Sequence, residues 1–266
     1  MISMFFVAAL ITGLIAGVIA GLFGVGGGII IVPALLVLYA SHDIHPEIIM
    51  HLAVGTSLAT IVVTNISATF NHHRRGAVDW KHVLQFIPGI LLGAWLGSQL
   101  AAIMNGSLLR LLFGCFEIIV GLEMLRGRKG EGSGIPLLPG LFNPVLGLLI
   151  GTISSLFGIG GGTLAVPVLN LIRGLPMLKS VGSASAMGFF LACSGAMGYI
   201  QAGMGNPHLP PGAFGFILPQ AFLGIVCGTL LTTPIGVRLA HALPQKQLKR
   251  GFGLFLIVIG IKLIMK

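Results

Sequence analysis

Residues 19–38 read IAGLFGVGGGIIIVPALLVL and residues 153–172 read ISSLFGIGGGTLAVPVLNLI. Leu22, Phe23, Gly24, Gly26, Gly27, Gly28, Val32 and Pro33 recur in register as Leu156, Phe157, Gly158, Gly160, Gly161, Gly162, Val166 and Pro167. Two unrelated apolar segments would not share so much, and an internal duplication limits the fold to architectures that use one unit twice. The repeat runs past the glycines. LLRLLFGCFEIIVGLEML (108–125) pairs with QLKRGFGLFLIVIGIKLI (247–264), setting Phe113, Gly114, Phe116 and Gly121 against Phe252, Gly253, Phe255 and Gly260. The chain therefore divides into a first repeat (1–126), a linker rich in glycine, proline and charge (127–139), and a second repeat (140–266).

With 55% hydrophobic residues, 8% charged residues and a mean hydropathy of +1.03, the chain cannot present an ordinary soluble surface. It reads as an integral membrane protein. Its apolar runs lack the alternation of a membrane barrel strand and approach the ~20 residues a spanning helix needs, so the expected fold is all-α. Expected helical runs are 4–22, 29–40, 52–70, 83–103 and 108–125, then 140–157, 163–172, 180–201, 213–236 and 248–265. No Lys or Arg precedes the first run, so a cleaved signal peptide is not expected. The net charge of +9 sits in a few loops, as the positive-inside rule describes, which argues against nucleic acid as a partner. Cys115, Cys193 and Cys227 form no metal-ligand spacing and read as small apolar fillers, and the eight histidines fall near run ends. No metal and no cofactor is expected.

Loop charge orients each repeat. Arg74, Arg75 and Lys81 lie in 71–82, whereas the equivalent 202–212 has no formal charge. Loop 104–107 is uncharged while 238–250 carries Arg238, Lys246, Lys249 and Arg250, and 41–51 lacks Lys and Arg while Arg173 and Lys179 follow the second glycine stretch. All three pairs reverse, which orients the repeats upside down relative to each other. Residues 140–172 must then enter and leave the membrane on one face, so each repeat is a Gly-rich broken-helix hairpin plus three transmembrane helices. The arm after the glycines reaches only ~15–18 Å as a helix, which places the turn inside the bilayer. Both termini are expected on the non-cytoplasmic side, against a weak opposing signal from Lys262 and Lys266.

A non-helical turn at membrane depth is tolerated where it is buried in protein or lines a wet cavity. Free N–H groups at the following helix start, glycines that admit close approach and the positive end of the helix dipole suit an anion. Gly24, Gly26, Gly27 and Gly28 with Gly158, Gly160, Gly161 and Gly162 are therefore the candidate substrate-binding backbone. The plainer role of such glycines is tight helix packing, but duplication and hairpin geometry favour a pathway. AVGTSL (53–58) and VGSASA (181–186) follow the hairpins, so Thr56, Ser57, Ser183 and Ser185, with Asn65 and Ser194 deeper, complete the candidate shell. Each of these hydroxyls could instead bond its own helix. Glu117 is the one carboxylate well inside a run, with Leu256 as its repeat partner, and two readings stay open: proton coupling, or a structural carboxyl. Asn170 replaces Leu36 and marks an asymmetry.

On LFGVGGGIIIVPAL (22–35), LFGIGGGTLAVPVL (156–169), VGTSL (54–58), HHRRGAVDW (72–80) and PGILLGAWLGSQLA (88–101), the chain resembles the TauE/SafE sulfite exporter family over essentially its whole length. It departs after residue 200, where a neutral Pro-rich loop replaces the basic one and TTPIGVRLA replaces a fuller glycine ladder. The resemblance implies a secondary transporter, in the exporting direction, of small sulfur-containing oxyanions such as sulfite or organosulfonates. It implies a multi-pass protein of the cell membrane whose partners are the anion and the lipid bilayer, with a homo-oligomer allowed. A passive anion channel is the alternative. Lys-Ser or Lys-Thr after the glycines is absent, which excludes a Walker A loop, and without a deep His or a GxSG or GxGD motif an enzyme is not expected.

Overall fold

The computed structural model describes residues 4–23, 27–42, 44–126, 139–242 and 245–265. Among them every regular element is helical, apart from one isolated bridge between Phe214 and Ile217. The first half contributes α1 (Met4–Phe23), α2 (Gly28–Ala40), α3 (Pro46–Arg74), α4 (Trp80–Ile103) and α5 (Gly106–Arg126). A short 3₁₀ turn, Gly140–Phe142, leads into α6 (Asn143–Phe157). Then come α7 (Gly162–Pro167), α8 (Met177–Gly203), α9 (Pro219–Ala242) and α10 (Gln245–Ile264). The order of the second half repeats that of the first. Among the described residues four helical stretches, Pro46–Arg74, Trp80–Ile103, Gly140–Phe157 and Met177–Gly203, are long and apolar enough to cross a membrane by length and composition.

Boundaries move where polar residues disguise a helix. The expected third run begins at 52, but α3 starts at Pro46, a residue whose missing N–H suits the first turn, and it carries Glu47 and His51 inside. It also runs past 70 through His72 and His73 to Arg74. The expected run from 213 starts instead at Pro219, because Phe214 donates to the Ile217 carbonyl at 2.8 Å and closes a turn over 214–217. After Pro167 the helix continues as one π turn, Val168–Ile172, ended by the Arg173 N–H on the Val168 carbonyl at 3.1 Å.

Glycines set the helix pairs. Gly89, Gly93 and Gly97 of α4 face Pro144, Leu148 and Thr152 of α6, and Gly147 and Gly151 return the contact to Phe86 and Ile90. Residue numbers rise together, so α4 and α6 run parallel. Gly13 and Gly17 of α1 meet Ile225 and Thr229 of α9 in the same parallel sense, with Gly224 and Gly228 facing Ala9 and Leu14. The weaker ladder expected in the second half is thus supplied by Gly224 and Gly228, one stretch earlier than TTPIGVRLA. Each first helix packs on the fourth helix of the other half. By contrast α5 and α10 are antiparallel, Gly114 on Gly260 and Gly121 on Gly253. So are α3 and α8, where Gly55, Asn65 and His72 meet Tyr199, Gly188 and Gly182. Such backbone approaches are what small residues give helices in lipid. Between these pairs α2 is buried along nearly all its length, from Gly28 to Tyr39, which explains why it is apolar on every side.

Candidate functional site

The second glycine stretch breaks the chain cleanly. α6 ends at Gly158 in a left-handed conformation, φ 67°, with the Ile159 N–H on the Ser154 carbonyl at 2.9 Å. Gly161, φ 59°, then starts α7 by giving its carbonyl to the N–H groups of Leu164 and Ala165. A side chain would be strained at either glycine. In the first half Gly27, φ 81°, plays the same part, its carbonyl accepting from Ile30 and Ile31. Gly24 and Gly26 lie outside the described residues. Among the described residues, the N–H groups of Gly160 and Thr163 and the Thr163 hydroxyl have no protein partner.

The two turns meet. A Cβ on Gly28 would run into the Gly158 carbonyl oxygen and lie 2.9 Å from the Ile159 Cα. α3 packs against both: Ser57 Oγ donates to the Gly158 carbonyl at 2.8 Å, Gly158 packs against Val54, and Gly28 faces Ile61. Further along α3, Asn65 faces Gly160 and Gly188, and Gly161 also packs against Gly188. Asn65 is 2% exposed and its Nδ2 has no partner among the described residues. Gly27, Gly28, Ser57, Asn65, Gly158, Gly160 and Gly161 thus form one buried crossing near the middle of α3, with Gly162 half-buried at its edge. Its unused polar groups include N–H donors, an arrangement that suits an oxyanion and gives no nucleophile with a base.

Other residues of the candidate shell stand elsewhere. Thr56 Oγ1 accepts the Leu218 N–H at 3.1 Å and the Tyr39 hydroxyl at 3.1 Å, and Ser183 Oγ accepts the Asp79 N–H at 2.9 Å. Thr56 and Ser183 are repeat equivalents, and Leu218 and Asp79 each precede the fourth helix of the opposite half. The two hydroxyls therefore tie the turns before α9 and α4 to α3 and α8 in a symmetric way. Burial raises the Asp79 carboxyl, but hydrogen bonds from His82 and the nearby Lys179 outweigh it and hold its pKa below the ordinary value. Ser185 bonds back to Val181 at 3.0 Å, Ser194 ties α8 to the Leu91 carbonyl at 2.7 Å, and Asn170 caps the Leu175 carbonyl at 2.8 Å. Sequence alone places Thr56, Ser183, Ser185 and Ser194 near the turns, because hydroxyl spacing does not reveal which backbone group each one meets.

Glu117 is fully buried in the α5–α10 seam, its Cβ against Gly260, and both carboxylate oxygens lack a partner among the described residues. The preceding Phe116 ring lies 5.0 Å from that of Phe157, the residue next to Gly158, which links the seam to the crossing by packing. Cys115 and Cys227 are free and exposed on helix surfaces rather than filling the interior, and Cys193 is half-buried.

At one end of the bundle a cavity of about 560 Å³ opens beside the starts of α3 and α5. Arg110, His51 and His208 line it, none of which the motifs singled out. The available signal for Arg110 was a cation set among leucines, one turn inside a span that follows an uncharged loop. His45, Glu47 and His208 bring ligand atoms within 4.8 Å of one another there and are the one group among the described residues that could hold a divalent metal.

The sulfite exporter TauE/SafE family profile matches residues 9–263. A "Probable membrane transporter protein" of Haemophilus influenzae is 36% identical over 262 residues, spanning 98% of this chain and 99% of its own. YunE of Bacillus subtilis, also named a probable membrane transporter protein, is 27% identical with 98% of both chains covered. MJ0441 of Methanocaldococcus jannaschii, of the same description, is 24% identical over 96% of this chain and 94% of its own. No solved structure matches the chain at a significant level. With its apolar helices and these matches along nearly its whole length, the chain belongs to the TauE/SafE sulfite exporter family of membrane transporters.

Proposed function

We propose that the protein is a secondary transporter of small sulfur-containing oxyanions, sulfite or organosulfonates, which pass between the two glycine turns. The observation that carries this reading is the buried crossing itself, where Gly28 abuts Gly158 and the Asn65 amide faces Gly160 with no partner. Broken helices that meet at a buried centre, leaving N–H groups unused, are how transporters hold anions without a buried counter-charge. Two inverted repeats would supply them. Antiparallel packing of the equivalent helices α3 with α8 and α5 with α10 supports the inversion, as do the reversed loop charges. On this reading both termini face away from the cytoplasm in the cell membrane, and 1–126 and 140–266 are the repeating units.

The latches give the two mouths equivalent closures. Thr56 holds the turn before α9 and Ser183 the turn before α4, at opposite ends of the antiparallel α3–α8 pair. Rocking of one half against the other would break one latch at a time. Thr56→Val should be the more destabilising change, because it orphans both the Tyr39 hydroxyl and the Leu218 N–H while Ser183→Ala orphans one N–H. With about 1–3 kcal/mol for each unsatisfied buried group, the thermal midpoint in detergent should fall visibly further for Thr56→Val. Equal midpoints would remove the latch from the account.

Coupling falls to Glu117. It is the fully buried carboxyl of that seam, with neither oxygen partnered among the described residues, and ionisable groups inside a membrane are candidates for a proton path. Glu117→Gln keeps the shape and removes the titration. Sulfite flux into proteoliposomes should then lose its response to an imposed pH gradient while flux down the anion's own gradient continues; a retained response would make the residue structural. The same assay separates a carrier from a channel, since only a carrier shows saturable flux that a second gradient drives uphill.

A further inference from the structure

We propose that the cavity at the starts of α3 and α5 is an anion-collecting vestibule, a second oxyanion site separate from the buried crossing, with Arg110 as its charge. Its part in transport rests on the transporter reading above. The cavity holds about 560 Å³, ample for a tetrahedral or pyramidal oxyanion with its water. Arg110 lines it from the second turn of α5, its Nε is buried without a partner, and among the described residues no carboxylate pairs with it. Two helix starts open on the same space, α3 at Pro46 and α5 at Gly106. The positive ends of their dipoles add to the guanidinium.

Hydrogen-bond donors are already in place. Asn105 Oδ1 caps α5 by accepting the Leu108 N–H at 2.7 Å, which leaves its amide –NH₂ to donate, and the Ser107 hydroxyl is exposed to the cavity. His51 forms the wall. It is 5% exposed and its Nε2 bonds the Ala101 and Met104 carbonyls at 3.0 and 3.1 Å, so it fixes the end of α4. Glu47 also lines the cavity and opposes an anion, but it stands in the first turn of α3 where it faces that helix's positive end. A cation alone, held by His45, Glu47 and His208, is the competing occupant. Arg110 and the two helix starts decide for the anion, because a guanidinium without a carboxylate partner repels a divalent metal across the same small space.

Repeat register adds an independent argument. Arg110 matches Lys249 in the paired segments 108–125 and 247–264, so each half carries a cation one turn before its Phe-Gly pair, Phe113–Gly114 and Phe252–Gly253. Funnels of this kind raise the local concentration of a charged substrate and act chiefly on encounter, not on the closed crossing.

Charge-selective labelling tests this without requiring transport. In full-length protein with Cys115, Cys193 and Cys227 replaced by Ala, Ser107→Cys places a thiol on the vestibule wall. Its labelling rates with an anionic and a cationic thiosulfonate are each normalised to a free thiol. The anionic reagent should be favoured by about fivefold at low salt, Arg110→Gln should bring the ratio close to one, and Arg110→Lys should keep the preference. Sodium sulfate should slow labelling saturably, beyond sodium chloride at equal ionic strength, and Arg110→Gln should abolish that protection. A ratio near one with Arg110 present, a preference for the cationic reagent, or equal protection by chloride would overturn the vestibule. Labelling preference together with absent sulfite flux would instead sink the substrate reading and leave the vestibule standing.

Discussion

Asn65→Leu is expected to stabilise the protein and to silence it. The side chains are close in volume, so packing survives, while the change removes a buried amide whose Nδ2 has no partner among the described residues. An unsatisfied buried donor costs about 1–3 kcal/mol, and leucine would recover a good part of that. Sulfite flux should fall to background in the same protein. Opposite signs for stability and transport mark a group retained for a ligand rather than for the fold. Loss of stability with flux retained would place the Asn65 amide among structural groups.

Gly28→Val is expected to have the other large effect. A Cβ there would strike the Gly158 carbonyl and approach the Ile61 side chain at 2.8 Å and the Ile159 Cα at 2.9 Å. The backbone cannot give way as a flexible side chain does, and overpacking of this sort costs about 1–3 kcal/mol. Flux should be lost because the two turns no longer approach. Gly224→Ala is the control, since it also crowds a neighbour, the Ala9 Cβ at 2.7 Å, but at the α1–α9 seam away from the turns. That variant should lose thermal stability and keep its flux. Equal loss of flux in both would mean that helix packing in general, not the crossing, limits transport.

Much of this was legible in the residues. Repeated glycines announced the duplication, and the breaks at Gly27, Gly158 and Gly161 fall where the motif puts them, because positive φ values of 81°, 67° and 59° favour glycine. Gly28 and Gly158 meet because α2 begins and α6 ends at the same level of α3. The roles of the hydroxyls were not legible. Thr56 and Ser57 are neighbours in sequence, yet on a helix they point in different directions, one to the Leu218 N–H and the other to the Gly158 carbonyl. Ser183, matched to Thr56 by register, therefore inherits the latch and not the crossing. Arg110 stayed hidden because the cavity it lines is closed by residues of α3 and of the stretch before α9, far away in sequence.

Small oxyanions leave a direct trace when sulfur is replaced by selenium. The structure of the protein with selenite bound, phased on the selenium signal, tests the central claim that the substrate sits between the glycine turns. A selenium peak within hydrogen-bonding range of the Asn65 amide and the N–H groups of Gly160 and Thr163 is the predicted result. A peak remote from both turns, with the Asn65 amide still unpartnered, would contradict it.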